Sequence, residues 1–290
     1  MRYANKRKIN ESMENKPVMK SALAIKLGSV VFAFLVLICT GCAAHSNSGN
    51  TVDVPANQII VVFGASGKIG GLIVTEALNR GHEVIGVSRN PEKMSFDHDA
   101  FLALKGDVTS VDSFREVTAG ADAVVISVQG VKDGNLPAET THARSAATAA
   151  TALRNVSYAP YVLQIGGATT IHNTKEAMLQ NLPFPVKDGS WTYATFLGHL
   201  VALETYRASE IDWTVLTPPY MIRGWTGKKI INNTRTGEYA TFNEGGAPKQ
   251  ADGSAASILV ADLAVAAIDE IENRQFVRRR FVAASKFGDQ

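Results

Sequence analysis

Seven residues, Gly64-Ala65-Ser66-Gly67-Lys68-Ile69-Gly70, constrain this chain more than any other stretch. They follow a short continuous apolar run, Ile59–Phe63, and open a stretch of helical spacing that runs to Arg80 and meets a stop signal at Gly81. Gly64 permits a tight turn. Gly67 lets the backbone approach a ligand with no Cβ in the way, and Gly70 allows helix and strand to pack closely. The helix start then offers the amides of Ser66, Gly67, Lys68 and Ile69, with a partial positive charge, to an anion lying on the turn. In this strand–turn–helix context the pattern points to the diphosphate of a dinucleotide; a purely structural glycine turn is the alternative.

The rest of the chain supplies the setting such a turn needs. Strands are expected at Glu83–Ser88, Phe101–Lys105 (weakly), Ala123–Ser127, Tyr161–Ile165, Trp213–Thr217 and Phe281–Ala284. Helices are expected at Glu139–Leu153, Thr192–Arg207 and Ala261–Glu272. This alternation predicts an α/β fold, a Rossmann-type doubly wound parallel sheet with right-handed crossovers. Ligands of such sheets bind beyond the carboxyl ends of the strands. There, Ser88-Arg89-Asn90 stands where an NAD-selective site carries a carboxylate for the ribose 2′-hydroxyl. The Arg89 guanidinium suits a 2′-phosphate, with no local carboxylate expected to repel it, so NADP(H) is preferred over NAD(H). Asp107, followed by Val108, is placed to accept from the adenine amino group, or else serves as a turn carboxylate. Ser127, at the end of the fourth strand, is placed along the nicotinamide ribose.

Before this domain, assigned to residues 58–290, lies a different kind of sequence. Basic residues from Arg2 to Lys26 precede an apolar run, Leu27–Cys39, that is short for a membrane span and suits a signal-peptide core. The end of that run, Leu37-Ile38-Cys39-Thr40-Gly41-Cys42, resembles a lipobox, with Cys39 where the pattern usually has Leu. Residues 1–41 are therefore read as a signal sequence of lipoprotein type, Cys42 as the lipidation site, and residues 42–57 as a flexible tether. The expected location is the extracytoplasmic face of a membrane, through a lipid anchor. An uncleaved anchor helix and a cytoplasmic extension are the alternatives, and Met19-Lys20 offers another start. Both of the chain's 2 cysteines fall in this region, which excludes disulfides, cysteine-ligated metals and cysteine nucleophiles from the domain. A net charge of only +2, with no basic stripe, argues against a nucleic-acid partner. His45, His82, His98, His142 and His172 show no metal-ligand spacing, so no metal is expected.

With these motifs in place, the domain resembles the atypical short-chain dehydrogenase/reductases, in particular the NAD(P)H-binding branch of biliverdin reductase B and NADH-flavin reductase-like proteins. The likeness is carried by Gly64–Gly70, Gly166-Gly167-Ala168, Asp212-Trp213-Thr214 with Pro218-Pro219, and Arg235-Thr236-Gly237-Glu238-Tyr239. It implies a small C-terminal substrate lobe and hydride transfer from NADPH to a flavin (FMN or FAD), quinone or similar conjugated small-molecule acceptor. It further places Gly166 among the cofactor-binding positions. The active site would lie between Gly166–Thr170, the helix from Thr192 to Arg207 and the loop after Pro219. His199 would sit near the acceptor, and Tyr193 would stack on it or donate a bond; against these stand the commoner roles of such residues, a structural or surface one for the histidine and core or rim packing for the tyrosine. Trp191 and Trp213 are read as core or rim aromatics, and Arg235–Tyr239 as a hairpin turn. One departure is chemical: ordinary relatives pair a Tyr with a Lys four residues on, whereas Tyr193 is followed at that spacing by Leu197. A non-catalytic NADP(H)-sensing module and, more weakly, a nucleotide-sugar epimerase or dehydratase therefore stand as alternatives. The physiological acceptor and the oligomeric state stay open.

Overall fold

Strand β1 (Ile59–Phe63) is apolar along its length because both of its faces are covered. Ile60 and Val62 point into one hydrophobic layer, with α1 (Lys68–Asn79) and α5 (Val260–Asn273) contributing Ile73, Ala77, Leu263 and Ala267. Val61 and Phe63 point into the other, against Phe114 of α2 (Val111–Thr118), Ala146 and Ala149 of α3 (Thr141–Ala152), and Leu203 and Tyr206 of α4 (Trp191–Arg207). The same alternation continues in β4 (Ala123–Ile126) and β5 (Tyr161–Ile165). The computed structural model describes residues 57–129, 136–171, 175–176, 187, 189–226, 229–230, 234–243 and 256–285. The expected signal sequence with Cys39 and Cys42, and nearly all of the expected tether, lie outside the described residues.

The main sheet has eight strands in the order β10-β12-β6-β5-β4-β1-β2-β3. Besides β1, β4 and β5 it contains β2 (Glu83–Ser88), β3 (Phe101–Lys105), β6 (Trp213–Thr217), β10 (Tyr239–Phe242) and β12 (Arg279–Ser285). Every pairing is parallel except β10 with β12. This is the doubly wound α/β fold that the strand–helix alternation predicts. The chain reverses its direction of winding between β1 and β4, which opens a crevice at their carboxyl ends. Short strands β7 (Met221–Arg223), β8 (Trp225–Thr226), β9 (Lys229–Ile230) and β11 (Ser257–Leu259) form two small sheets, β11-β7 and β8-β9, outside the main one.

Several boundaries differ from expectation. Helix α3 begins at Thr141 rather than Glu139, because Pro137–Glu139 forms a 3₁₀ turn and Thr140 caps the helix by accepting from the Ala143 amide at 3.3 Å. Helix α2 was not anticipated. Its eight residues are mostly polar and bury only Phe114, Val117 and Thr118. The segment Arg235–Tyr239 is not a hairpin turn. It is held against α5 by Asp262, a fully buried carboxylate that accepts from the Thr236 amide (2.7 Å), the Thr236 hydroxyl (2.7 Å) and the Gly237 amide (3.0 Å). Arg235 also reaches Glu76 of α1, and the Tyr239 hydroxyl donates to Asp269 of α5.

Removing Asp262 would take the acceptor from three hydrogen bonds whose donors lie on exposed Thr236 and Gly237, where water makes up part of the loss, so Asp262→Ala is expected to cost about 1–2 kcal/mol. Asp262→Asn, which keeps one acceptor oxygen, should cost less. Thermal unfolding of the two variants checks the order, and equal melting temperatures for both and the parent chain would contradict it.

Candidate functional site

At the β1–α1 junction, backbone packs directly on backbone. Gly64 has φ +81°, donates to the Val87 carbonyl at 3.1 Å, and lies so close to β4 that a Cβ on it would fall 2.1 Å from the Ser127 carbonyl oxygen. A Cβ on Gly70 would fall 2.2 Å from the Gly64 carbonyl oxygen. Gly67 is different: its Cβ would have one neighbour, the Gly64 oxygen at 3.1 Å, and would otherwise project into open space. One amide expected to face a ligand is already used, since Gly67 N–H donates to the Gly64 carbonyl at 2.8 Å and closes the turn. Beyond it, the first turn of α1 has no side-chain cap and no carboxylate. Its amides, which no intrahelical carbonyl can reach, are thus suited to a diphosphate.

A cavity of about 1000 Å³ runs along the carboxyl edge of the sheet. Gly64, Ser66, Gly67, Lys68 and Ile69 line it, as do Arg89, Asp107, Val108, Ser127 and Gly166; Gly70 lies behind, in the helix–strand packing. Arg89 is exposed at the rim, with no ion-pair partner among the described residues. Asp107 Oδ1 accepts from both the amide and the hydroxyl of Thr109 at 2.8 Å, so the carboxylate shapes its own turn. Desolvation opposes ionisation of Asp107. The Thr109 hydrogen bonds and the charges of Arg144 and Arg89 outweigh it and hold the carboxyl below its ordinary range. The expectation that no carboxylate lies near Arg89 is therefore corrected. A second cation offsets it: Arg144, in the first turns of α3, lines the cavity and donates to the Thr109 hydroxyl at 3.3 Å. The sequence reading missed Arg144, although a basic residue early in a helix that starts at this edge of the sheet was a usable signal.

The other end is walled by Gly166–Thr169, by α4 and by Pro218, Pro219, Tyr220 and Ile222. Along α4, Trp191, Thr195 and His199 repeat every four residues and face the cavity. Tyr193 and Leu197 occupy the opposite phase, in a small cluster with Phe196 and Leu200. Tyr193 is thus placed off the cavity wall, and helical phase explains why. Trp213 is a core residue, stacked on Tyr206 at 5.4 Å. His199 does face the cavity, and its ring stacks on that of His142 from α3, with centroids 3.7 Å apart and planes 28° apart. Two glycines make this possible. A Cβ on Gly198 would strike Thr140 Oγ1 at 2.1 Å, and one on Gly167 would strike His199 Cδ2 at 2.5 Å. Burial lowers His142 to a pKa of about 4. Burial and then the neighbouring His142 push His199 well below its usual value. Both rings are therefore uncharged at neutral pH. Among the described residues, no group of three or more His, Cys, Asp or Glu could hold a metal ion.

A family model described as NAD(P)H-binding matches residues 64–271. The uncharacterized protein YwnB of Bacillus subtilis (strain 168) is 27% identical over 229 residues, covering 78% of this chain and 98% of its own. Among solved structures, a candidate exported protein from Burkholderia pseudomallei is 26% identical, with a TM-score of 0.62, and the match covers 78% of this chain and 99% of that one. A candidate epimerase from Bacteroides thetaiotaomicron is 28% identical with a TM-score of 0.64, over 80% of this chain and 99% of that one.

Because Gly167 leaves no room for a methyl group beside His199, Gly167→Ala should force the imidazole off His142 and lower stability by about 1–3 kcal/mol. The histidine ring resonances in NMR spectra report the displacement. Parent-like shifts together with parent-like stability would show that the contact is not as close as described.

Proposed function

The chain belongs to the NAD(P)H-binding family, and from that premise we propose that it is an NADP(H)-dependent reductase that passes hydride to a flavin, a quinone or a similar conjugated acceptor. The observation that carries this reading is a single continuous cavity that joins the glycine turn and Arg89 to His199 and Pro218-Pro219. At about 1000 Å³ it reaches the top of the range for small-molecule sites, which favours a cofactor and an acceptor in one space.

The nicotinamide supplies the hydride when bound. The chain's own residues bind, orient and exclude water. The first-turn amides of α1 hold the diphosphate, and the absence of a Cβ at Gly67 gives it room to approach. Arg89 and Arg144 add positive charge at the adenosine end, which favours a 2′-phosphate, while Asp107 tempers that preference. At the acceptor end His199 contributes an uncharged imidazole that can orient a polar group. Among the described residues no Tyr–Lys pair is placed for acid–base work. Lys175 Nζ lies 5.7 Å above the centre of the Tyr193 ring, on its face rather than at its hydroxyl. Alcohol–ketone chemistry, which depends on a positioned proton donor, is disfavoured; hydride transfer between conjugated rings depends on one less.

A second reading, a non-catalytic NADP(H)-sensing module, is favoured by the same lack of a Tyr–Lys pair among the described residues. A nucleotide-sugar epimerase or dehydratase is the third, supported by the description of the Bacteroides relative and weakened by the missing Tyr–Lys pair. For location, we propose a lipoprotein anchored through Cys42. The description of the Burkholderia relative as an exported protein agrees with that reading.

Purified protein should bind NADPH more tightly than NADH, and should oxidise NADPH in stopped-flow absorbance when FMN or a quinone is added. Arg89→Ala should weaken NADPH binding about tenfold and leave NADH binding nearly unchanged, because only one of the two carries the extra phosphate. Equal losses for both cofactors would remove Arg89 from the 2′-phosphate site. Binding without turnover across a broad acceptor panel would move the assignment to the sensing module. Separately, cells fed labelled palmitate should label the parent chain and not Cys42→Ser; unchanged labelling would refute lipidation there.

A further inference from the structure

At the acceptor end of the cavity, four buried polar atoms have no hydrogen-bond partner among the described residues: His142 Nδ1, His199 Nδ1, Thr195 Oγ1 and Tyr220 Oη. All four side chains line the cavity, and they come from α3, from α4 and from the loop after β6. Folded proteins rarely leave such atoms unmatched, so a cluster in one wall calls for an explanation. Poor packing does not supply it, because the polar groups just behind the wall are all matched. Gln164 Nε2 donates to the His142 carbonyl (3.2 Å), and Tyr206 donates to Gln164 Oε1 (2.8 Å). Ser145 donates to the same His142 carbonyl (2.9 Å), Thr140 to the Pro137 carbonyl (2.8 Å) and Thr170 to the Gly167 carbonyl (2.8 Å). At this end the open atoms are those of the layer that meets the cavity.

The chemistry of that layer is specific. Two uncharged imidazoles each offer one donor and one acceptor nitrogen, and two hydroxyls can do either. Stacked rings send their in-plane lone pairs side by side rather than toward a common point, which does not suit a shared metal ion. Arg89 and Arg144 act on Asp107 at the far end, and the charged side chain next to Thr140, Glu139, is exposed and negative. Among the described residues that line this end of the cavity none is cationic, so an anionic group would find no cation in its wall. With each Nδ1 as the unprotonated nitrogen, a ring bearing only carbonyls would match the hydroxyls and leave both Nδ1 acceptors unmet.

We propose that His142 and His199 act as one recognition element, a stacked imidazole pair that, with Thr195 and Tyr220, binds the edge of an uncharged heteroaromatic acceptor carrying both ring N–H and carbonyl groups. His142 is the new member of the site, acting both through its own Nδ1 and by fixing the plane of the His199 ring. The proposal rests on reading the cavity as a reductase site and narrows the acceptor to rings of the isoalloxazine or pteridine kind over simple quinones.

Riboflavin, which has the ring and no phosphate, is the probe, titrated by fluorescence quenching into full-length protein with and without NADP+, with menadione as the carbonyl-only comparison. His142→Phe keeps a ring on His199 and removes both nitrogens. It should weaken riboflavin binding about tenfold, the effect of losing one buried hydrogen bond. Menadione and NADP+ affinities should change by less than about twofold, since neither depends on that nitrogen. Equal riboflavin affinity in parent and variant, or an equal loss for menadione, overturns the proposal, as does parent protein that does not bind riboflavin. If NADP+ itself fails to bind, the reductase reading falls, and the titration without cofactor still decides the imidazole pair. Should His142→Phe not fold, histidine ¹⁵N spectra of the parent serve instead. Both Nδ1 signals are expected to move when riboflavin is added, and signals that stay in place overturn the assignment.

Discussion

The close approach of Gly64 to the end of β4 is the constraint on which the rest of the site depends. With only 2.1 Å between an imagined Cβ and the Ser127 oxygen, no side chain fits between the turn and its neighbouring strand. The φ of +81° at the same residue disfavours any replacement on conformational grounds as well. Gly70 repeats the condition six residues on, against the Gly64 carbonyl. The floor of the cavity is therefore main chain, held by strand register and by the Gly67–Gly64 turn bond, and it does not rely on rotamers to keep its shape. What side chains add comes from the two ends, the arginines and Asp107 at one and the imidazoles at the other.

Much of this fold was legible because its strands are covered on both faces. Ile59–Phe63, Glu83–Ser88, Tyr161–Ile165 and Trp213–Thr217 stand out as apolar runs, and the structure places strands at those same bounds. The third strand is weak in sequence for a physical reason: Phe101–Lys105 is the edge of the sheet and is only partly buried. Helix α2 escaped notice because two hydrophobic anchors in a polar octet are too few to show a period. The last strand reaches back beyond the expected Phe281 to Arg279 and Arg280, whose charge sets them apart from the apolar run although Arg280 is fully buried.

The site divides in the same way. The glycine turn is local, so spacing alone reveals it. The imidazole stack joins residues from two helices far apart in the chain, and no periodicity within either helix announces it. Part of the acceptor wall was nevertheless readable. Thr195 and His199 share a helical face that Tyr193 does not, and applying that phase separates the cavity residue from the core one. Arg144 and the Asp107 turn show the limit of reading charges singly. Each side chain's effect is set by the other, and the pairing is visible only in three dimensions.

Gln164 bears on how this chain can change over generations. From β5, inside the sheet, it clasps the His142 carbonyl on one helix and the Tyr206 hydroxyl on another, fixing how the two histidine-bearing helices meet. Gln164 lies outside the cavity lining, so it has no route to a ligand except through that clasp. Substrate preference in descendants of this chain is therefore open to drift through interior substitutions at Gln164 or Tyr206. A tally confined to cavity-lining positions would miss both.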